Sequence, residues 1–186
     1  MNHTLLHPRR RWLKHSLALG SAAALLPLAT PSAQAILAGS RDIAMSHLHT
    51  RERIATVYAV GEHFVPEALG SLDHFLRDHY NGEVGRMDPQ LYELLQRVRR
   101  ELGGSGPFEI ISGYRSPRTN EHLRATRGGG VARRSLHMDG RAIDVRLPGV
   151  SLSDLRDAAV SMKAGGVGYY PRDNFVHVDT GQVRRW

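Results

Sequence analysis

Three side chains of the sequence, His137, Asp144 and His177, are of types that bind a metal ion. Two imidazoles and one carboxylate are typical ligands of catalytic zinc, which keeps a fourth position open for water. A bound zinc ion lowers the pKa of that water to about 7 and polarises a carbonyl group. If the three side chains meet, the chemistry they support is hydrolysis, and a peptide bond is the natural target.

The segment around Asp144 has the alternating pattern of a β-strand with one buried face, from Ala142 to Leu147. The preceding Asp139–Gly140 pair is typical of a two-residue hairpin turn. Such a hairpin would place His137 opposite Ala142 and diagonal to Asp144 on the same face. Spacing alone leaves a second interpretation open, in which His137 is a half-exposed strand residue and Asp144 pairs with a nearby arginine.

A second alternating run surrounds His177. Phe175, His177 and Asp179 share one face of this predicted strand, and Val176 and Val178 share the other. Neighbours on one face of a strand are about 6.6 Å apart along it. Asp179 can therefore stand beside a metal ion bound at His177.

The first 35 residues predict an export signal. Arg9–Lys14 resembles the twin-arginine motif, Ser16–Ala29 is apolar, and Ala33–Ala35 is a small-x-small cleavage site. The apolar stretch is shorter than the roughly 20 residues that cross a membrane. We expect residues 1–35 to be a cleaved twin-arginine signal peptide, with an uncleaved anchor as the alternative. Residues 36–186 would then form a single periplasmic domain without a transmembrane span.

Composition narrows the class of protein further. The formal net charge of +7 includes four cations of the predicted signal, so the charge that remains is that of an ordinary surface. We expect no nucleic acid partner, because the predicted export signal places the mature protein outside the cytoplasm. The sequence has no cysteine, which excludes a thiolate mechanism, a disulfide and a cysteine zinc site. We expect the mature protein to be a monomer.

The pattern of the remaining chain predicts an α+β fold. Strands are expected near residues 43–49, 53–58, 108–111, 167–170 and 175–179. Helices are expected at residues 66–80, from Asp88-Pro89 to before Gly103, and at 151–163. Because helices cluster early and strands late, we expect a mainly antiparallel sheet with helices packed on one face and the zinc site on the sheet.

Four segments of the chain, taken together, resemble a known family. They are Ser112–Pro117 with Asn120, the run from Ser135 to Asp144, Gly166–Tyr170, and Phe175–Gly181 followed by Trp186. These segments resemble the murein endopeptidase K-like family of zinc metallopeptidases. That family is related to D-alanyl-D-alanine carboxypeptidases and dipeptidases and to the hedgehog domain. The resemblance covers nearly all of the predicted mature chain.

The resemblance implies that His137, Asp144 and His177 bind one zinc ion and that the substrate is a peptide cross-link of peptidoglycan. It also implies a catalytic Arg115 near the substrate carbonyl or carboxylate, for which a planar guanidinium is suited. A structural ion pair is the alternative for Arg115. Other polar residues of the matching segments are assigned to substrate binding: Tyr114, Ser116, Asn120 and Ser135.

Asn174 departs from the pattern of many relatives, which place a catalytic Glu or Asp three residues before the last zinc ligand. An amide cannot take the proton from water. Two carboxylates could replace it, Asp179 on the strand of His177 and Asp173 in the preceding turn. We expect Asp179 to be the general base, and the alternative is that it orients a zinc ligand.

The sequence thus leads us to expect an exported zinc-dependent endopeptidase that hydrolyses peptidoglycan cross-links in cell-wall growth or remodelling. Two alternatives stay open. Asn174 favours a non-catalytic, zinc-stabilised peptidoglycan-binding module. The related families also leave room for a D-amino-acid carboxypeptidase.

Overall fold

The computed structural model describes residues 39–104, 106–127 and 129–186, and the predicted signal peptide lies outside them. The described chain has an α+β fold of eight strands and four α-helices. The strands are β1 (Ser40–His47), β2 (Arg53–Val60), β3 (His63–Phe64), β4 (Phe108–Ser112), β5 (Ala142–Arg146), β6 (Gly166–Tyr170), β7 (Phe175–Asp179) and β8 (Arg184–Arg185). The helices are α1 (Pro66–Phe75), α2 (Gln90–Glu101), α3 (Pro117–Thr126) and α4 (Leu152–Ser161), with a 3₁₀ helix at Leu136–Asp139.

The strands form one mixed sheet in the order β3-β2-β1-β4-β5-β7-β6-β8. Most neighbouring strands are antiparallel, as the sequence predicts. Two pairs, β1 with β4 and β6 with β8, are parallel. A parallel pair needs a long connection instead of a hairpin, and α1 and α2 lie in the connection between β1 and β4. The expectation of a mainly antiparallel sheet thus holds for most pairs, although the sheet is mixed.

One face of the sheet carries the hydrophobic core. Ile143 and Val145 of β5 and Val176 and Val178 of β7 are at most 1% exposed and pack in this core. Helices α1, α2 and α4 contribute their apolar residues to the same core. Helix α3 does not, because its buried Leu123 lines a pocket with residues of the opposite face. The expectation that all helices pack on one face is therefore wrong for α3.

Helix α1 is shorter than its sequence pattern predicts, because it ends at Phe75 and not near Tyr80. The carbonyl of Leu76 accepts a hydrogen bond from Tyr114 N at 2.8 Å. The carboxylate of Asp78 accepts from Tyr80 N and from Ser116 N, both at 2.9 Å. These contacts with the segment after β4 turn the chain away from the helical path.

Helix α3 was not predicted from the sequence, although its start carries a recognisable signal. The Ser116 side chain accepts a hydrogen bond from Thr119 N at 3.2 Å, and Pro117 occupies the first helical position. A serine at the N-cap followed by proline is typical of a helix start. The N-cap Ser116 directly follows Arg115, so this helix fixes the backbone beside the candidate site.

Candidate metal centre

Two of the three predicted ligands are direct partners in the sheet. Asp144 of β5 pairs with His177 of β7 in the antiparallel register. Both side chains lie on the face opposite Val145 and Val176, which are in the core. The alternating pattern of the two strands is therefore confirmed, and it brings a carboxylate and an imidazole together across the sheet.

His137 reaches the same point from a helical turn and not from a hairpin. Residues Leu136–Asp139 form a 3₁₀ helix that ends at Gly140, which has φ +65°. Ala142 pairs with Asp179 and not with His137, so the predicted two-residue hairpin is wrong. Any Cβ at position 140 would overlap the carbonyl oxygen of Arg86. The Asp-Gly pair thus marks the end of a helical turn, where only glycine fits.

The separations of the three donor atoms are close to those of a tetrahedral zinc site, with one pair nearer than the ideal. His177 Nδ1 lies 2.9 Å from Asp144 Oδ1 and 3.2 Å from His137 Nε2, and His137 Nε2 lies 3.3 Å from Asp144 Oδ1. Ligand atoms at zinc distances of 2.0–2.1 Å in tetrahedral geometry stand about 3.3 Å apart. All three residues are buried. The predicted convergence is confirmed, and the group could hold a zinc ion.

The other ring nitrogen of each histidine has its own partner. His137 Nδ1 lies 2.7 Å from the carbonyl oxygen of Gly113, so it carries the proton and donates. His177 Nε2 lies 3.2 Å from Asp179 Oδ2 and donates in the same way. Partners of this kind fix the tautomer and the orientation of metal-binding imidazoles. They direct His137 Nε2 and His177 Nδ1 towards the place of a metal ion, which would replace the proton that His177 Nδ1 carries in the metal-free centre.

The electrostatics of the centre keep its carboxylate ionised. Burial alone would raise the pKa of Asp144, but the neighbouring His137 and His177 outweigh burial and hold it well below its usual range. Burial would lower the pKa of His177, and its hydrogen bonds with Asp144 and Asp179 instead raise it to about 9. The anionic Asp144 therefore attracts a positive charge between the two rings, which is the place a metal cation would take.

The centre lies in a pocket of about 480 Å³ that Arg115 also lines. The Arg115 side chain is 14% exposed, and its Nη2 lies 3.8 Å from Asp144 Oδ2 and 3.5 Å from Ser112 Oγ. A guanidinium at this place can donate to a substrate oxygen above the centre. The distance between Arg115 and Asp144 is near the upper limit for an ion pair. It gives only weak support to the alternative, in which Arg115 serves as a structural ion-pair partner.

A family model described as "Peptidoglycan L,D-endopeptidase MepK" matches residues 35–186. The chain belongs to this MepK family. The protein of that name from Escherichia coli K12 is 47% identical over 146 residues, which cover 78% of this chain and 80% of the relative. "Probable peptidoglycan L,D-endopeptidase MepK" from Haemophilus influenzae is 37% identical over 181 residues, covering 96% of this chain and 95% of the relative. No solved structure matches the chain.

The position of Asp179 changes the role we expect for it in this member of the MepK family. Asp179 is fully buried and contacts His177 Nε2, the ring nitrogen that faces away from the other ligands. It does not line the pocket. A carboxylate on this side of the ring favours the alternative, in which Asp179 orients His177, over the general-base assignment.

Asp173 is the carboxylate that lines the pocket besides Asp144 among the described residues. It is exposed in the turn between β6 and β7. The next residue, Asn174, has φ +56° and does not line the pocket. Asparagine adopts this left-handed conformation more readily than most residues. Asn174 therefore has a backbone role in the turn, and Asp173 is left as the candidate proton acceptor.

Four residues were assigned to substrate binding, and only Ser135 lines the pocket. Tyr114 donates its hydroxyl to Glu83 at 3.1 Å. Ser116 is fully buried as the N-cap of α3, and Asn120 donates from Nδ2 to Ala132 O at 3.1 Å. Tyr114, Ser116 and Asn120 thus make contacts within the protein and do not line the pocket, and their assignment to substrate binding stays a prediction.

Two walls of the pocket were not foreseen from the sequence. His49 and His79 stack with their ring centroids 4.1 Å apart on one side. Trp186 and Tyr170 form another side and are joined by a 2.7 Å hydrogen bond from the indole nitrogen to the phenol oxygen. The His49 and His79 contact joins segments distant in sequence, so no local pattern indicates it. In the sequence, Trp186 was singled out only because it follows one of the segments that resemble the family.

Proposed function

We propose that this protein is a zinc-dependent murein endopeptidase that hydrolyses peptide cross-links of peptidoglycan. The observation that carries the proposal is the convergence of His137, Asp144 and His177 in an open pocket, in a chain of the MepK family. In this proposal residues 1–35 direct export by the twin-arginine pathway and residues 36–186 act as one monomeric domain in the periplasm. Among the described residues, no helix is long and apolar enough to cross a bilayer.

One zinc ion would be held by His137 Nε2, Asp144 Oδ1 and His177 Nδ1. When bound, zinc supplies a water of lowered pKa and polarises the carbonyl of the scissile peptide. The Gly113 carbonyl and Asp179 hold the two imidazoles in the tautomers that this ligand set needs.

The other groups of the pocket act on the substrate. Arg115 stabilises negative charge on the carbonyl oxygen as water adds to the peptide, because its donors lie beside Asp144 on the pocket wall. Asp173 accepts the proton that the attacking water releases and passes it to the leaving amine. The pocket is lined by several arginines but by only two described carboxylates, Asp144 and Asp173, which suits an anionic stem peptide.

The test uses the purified protein and muropeptide dimers joined through defined D,D or L,D cross-links. We expect the wild type to contain zinc and to convert at least one dimer into monomers. His137→Ala should lose both properties, whereas His63→Ala, at an exposed position of β3, should keep them. Zinc absent from the wild type, or cleavage undiminished in His137→Ala, would contradict the proposal.

Product masses distinguish the proposed function from its two rivals. Release of single D-amino acids with the cross-link intact would indicate a carboxypeptidase. Zinc bound at full occupancy with no turnover of any cross-linked or linear stem would indicate a binding module, which the amide at Asn174 favours. Cleavage of dimers into monomers would contradict both rivals.

A further inference from the structure

The carboxylate of Asp179 has three hydrogen-bonding partners besides His177. Its Oδ1 accepts hydrogen bonds from Gly166 N and Gly181 N, both at 2.8 Å. Its Oδ2 lies 2.7 Å from Arg184 Nη2 and 3.2 Å from His177 Nε2. The same oxygen therefore contacts a predicted metal ligand on one side and a guanidinium on the other.

Arg184 is held in this position by contacts of its own. Its Nη1 donates to Gln182 O at 3.0 Å and lies 3.3 Å from Asp179 Oδ1. Its guanidinium stacks over the Trp186 ring at 4.9 Å, and that ring lies 5.3 Å from the ring of His177. The fork contacts both oxygens of Asp179, which fixes the plane of the carboxylate.

Two glycines leave room for this pair. A Cβ at Gly166 would lie 2.5 Å from Asp179 Oδ2 and 2.7 Å from Arg184 Nη1. A Cβ at Gly181 would lie 3.0 Å from Asp179 Oδ1. A side chain at Gly166 would therefore push on the ion pair itself, so glycine at this position leaves the space that the pair occupies.

We propose that Arg184 is a positioning residue of the metal centre, which acts through Asp179 to hold His177 Nδ1 in the direction of the metal. This inference rests on the proposed function, since it assumes that His177 is a ligand. The guanidinium holds Asp179 Oδ2 in line with His177 Nε2. Without it, Oδ2 loses one of its two partners, so Asp179, which the two backbone amides still hold at Oδ1, holds the imidazole less firmly.

The test is the zinc affinity of the metal-free protein, measured by competition with a chromophoric chelator. We expect Arg184→Ala to weaken zinc binding about 10-fold, the lower end of the range for groups that contact a metal ligand directly, because Arg184 acts through Asp179. Arg185→Ala is the matched control, since Arg185 is the exposed neighbour on β8, and its affinity should equal that of the wild type. In the cobalt-substituted protein, Arg184→Ala should also change the visible spectrum, which reports ligand geometry.

A change confined to stability would not support a positioning role, so thermal unfolding of each metal-free variant is measured in parallel. If Arg184→Ala fails to fold, Arg184→Gln carries the same expectation. Zinc affinity within about two-fold of the wild type in the folded variant would overturn the inference and leave the proposed function intact. A wild type that binds no zinc would instead contradict the proposed function.

Discussion

At the scale of single residues, the centre depends on groups that lie behind its ligands. The Gly113 carbonyl fixes His137, and Asp179 fixes His177. Residue types and alternation pointed to three candidate ligands but left a second interpretation open, and the family resemblance was needed to choose between the two. The role of Asp179 could not be predicted, because strand spacing places it beside His177 without saying on which side of the ring it lies. That side is determined by Gly166 N and Gly181 N, which hold its carboxylate away from the pocket.

The general base can be tested at the same scale. We expect Asp173→Asn to lower kcat by about 10²- to 10⁴-fold, because an amide cannot accept the proton of the attacking water. Zinc content should not change, since Asp173 is not part of the ligand group. Asp157→Asn, an exposed aspartate of α4, is the control and should match the wild type in both measurements. Wild-type kcat in Asp173→Asn would remove it from the mechanism.

At the scale of elements, the 3₁₀ helix that carries His137 depends on close backbone packing. Asp88 N donates to Gly140 O at 2.9 Å, and Arg115 N donates to His137 O at 3.1 Å. The turn is thus joined to the segment before α2 and to the segment before α3. Sequence favoured a hairpin here, since an Asp-Gly pair fits both a hairpin and the end of a helical turn.

Gly140→Ala should destabilise the protein by more than the cost of a left-handed alanine, because its Cβ would overlap the carbonyl of Arg86. Gly149→Ala is the matched control, since Gly149 has φ +81° with no heavy atom within 4 Å of a Cβ. We expect the control to lose only about 1–2 kcal/mol of unfolding free energy. Denaturant unfolding compares the two variants, and equal losses would contradict the packing argument.

The other helices and strands differ in how well the local sequence predicts them. Helices α2 and α4 and the β6–β7 hairpin follow their apolar periodicity, and α4 also follows its cap, in which the Ser151 side chain accepts from Asp154 N at 3.1 Å. The end of α1 and the parallel pairing of β1 with β4 depend on contacts between distant segments. No window of local sequence contains those contacts.

Asp78 joins the segment after α1 to the start of α3, and its titration can be followed. Burial raises the pKa of Asp78, but hydrogen bonds from Thr119 and from the Ser116 backbone outweigh burial and lower it below its ordinary value. The pKa of Asp78 is about 4 in the unfolded chain and lower in the folded protein. The ionised carboxylate therefore stabilises the fold at any pH above about 4. This stabilisation is lost as the pH falls from about 4 through the folded-state pKa.

Asp78→Asn should therefore destabilise the protein by about 1.5–3 kcal/mol at neutral pH, the value of hydrogen bonds to a charged group. The difference from the wild type should shrink as the pH falls below about 4. Urea unfolding at a series of pH values measures it, with the exposed Asp157→Asn as control. A difference that stays constant down to acid pH would contradict an ionised Asp78.

At the scale of the whole molecule, the sheet separates two environments. Helices α1, α2 and α4 bury one face, and α3, the 3₁₀ helix and the pocket lie on the other. The α+β class was predictable from the order of elements. The placement of α3 was not, because Thr119 and Asn120 give its buried side a polar surface that resembles a loop in sequence.

Metal removal should change the stability of the whole domain. The proposed ligands come from β5, β7 and the 3₁₀ helix, so a bound ion would join segments distant in sequence. At a free zinc concentration about 100 times Kd, we expect about 2.7 kcal/mol of stabilisation over the metal-free protein. Thermal unfolding with and without a chelator measures this effect. His137→Ala is the control, and a chelator should leave its Tm unchanged.

The alternation of β5 and β7 has a consequence for how this protein can evolve. Asp144 faces the pocket while the next residue, Val145, faces the core, and His177 and Val178 repeat this arrangement. Changes that improve packing and changes that alter substrate preference therefore fall on different sets of positions along the same strands. Substitutions at the core-facing positions can therefore raise thermal stability, while substitutions at the pocket-facing positions change substrate preference.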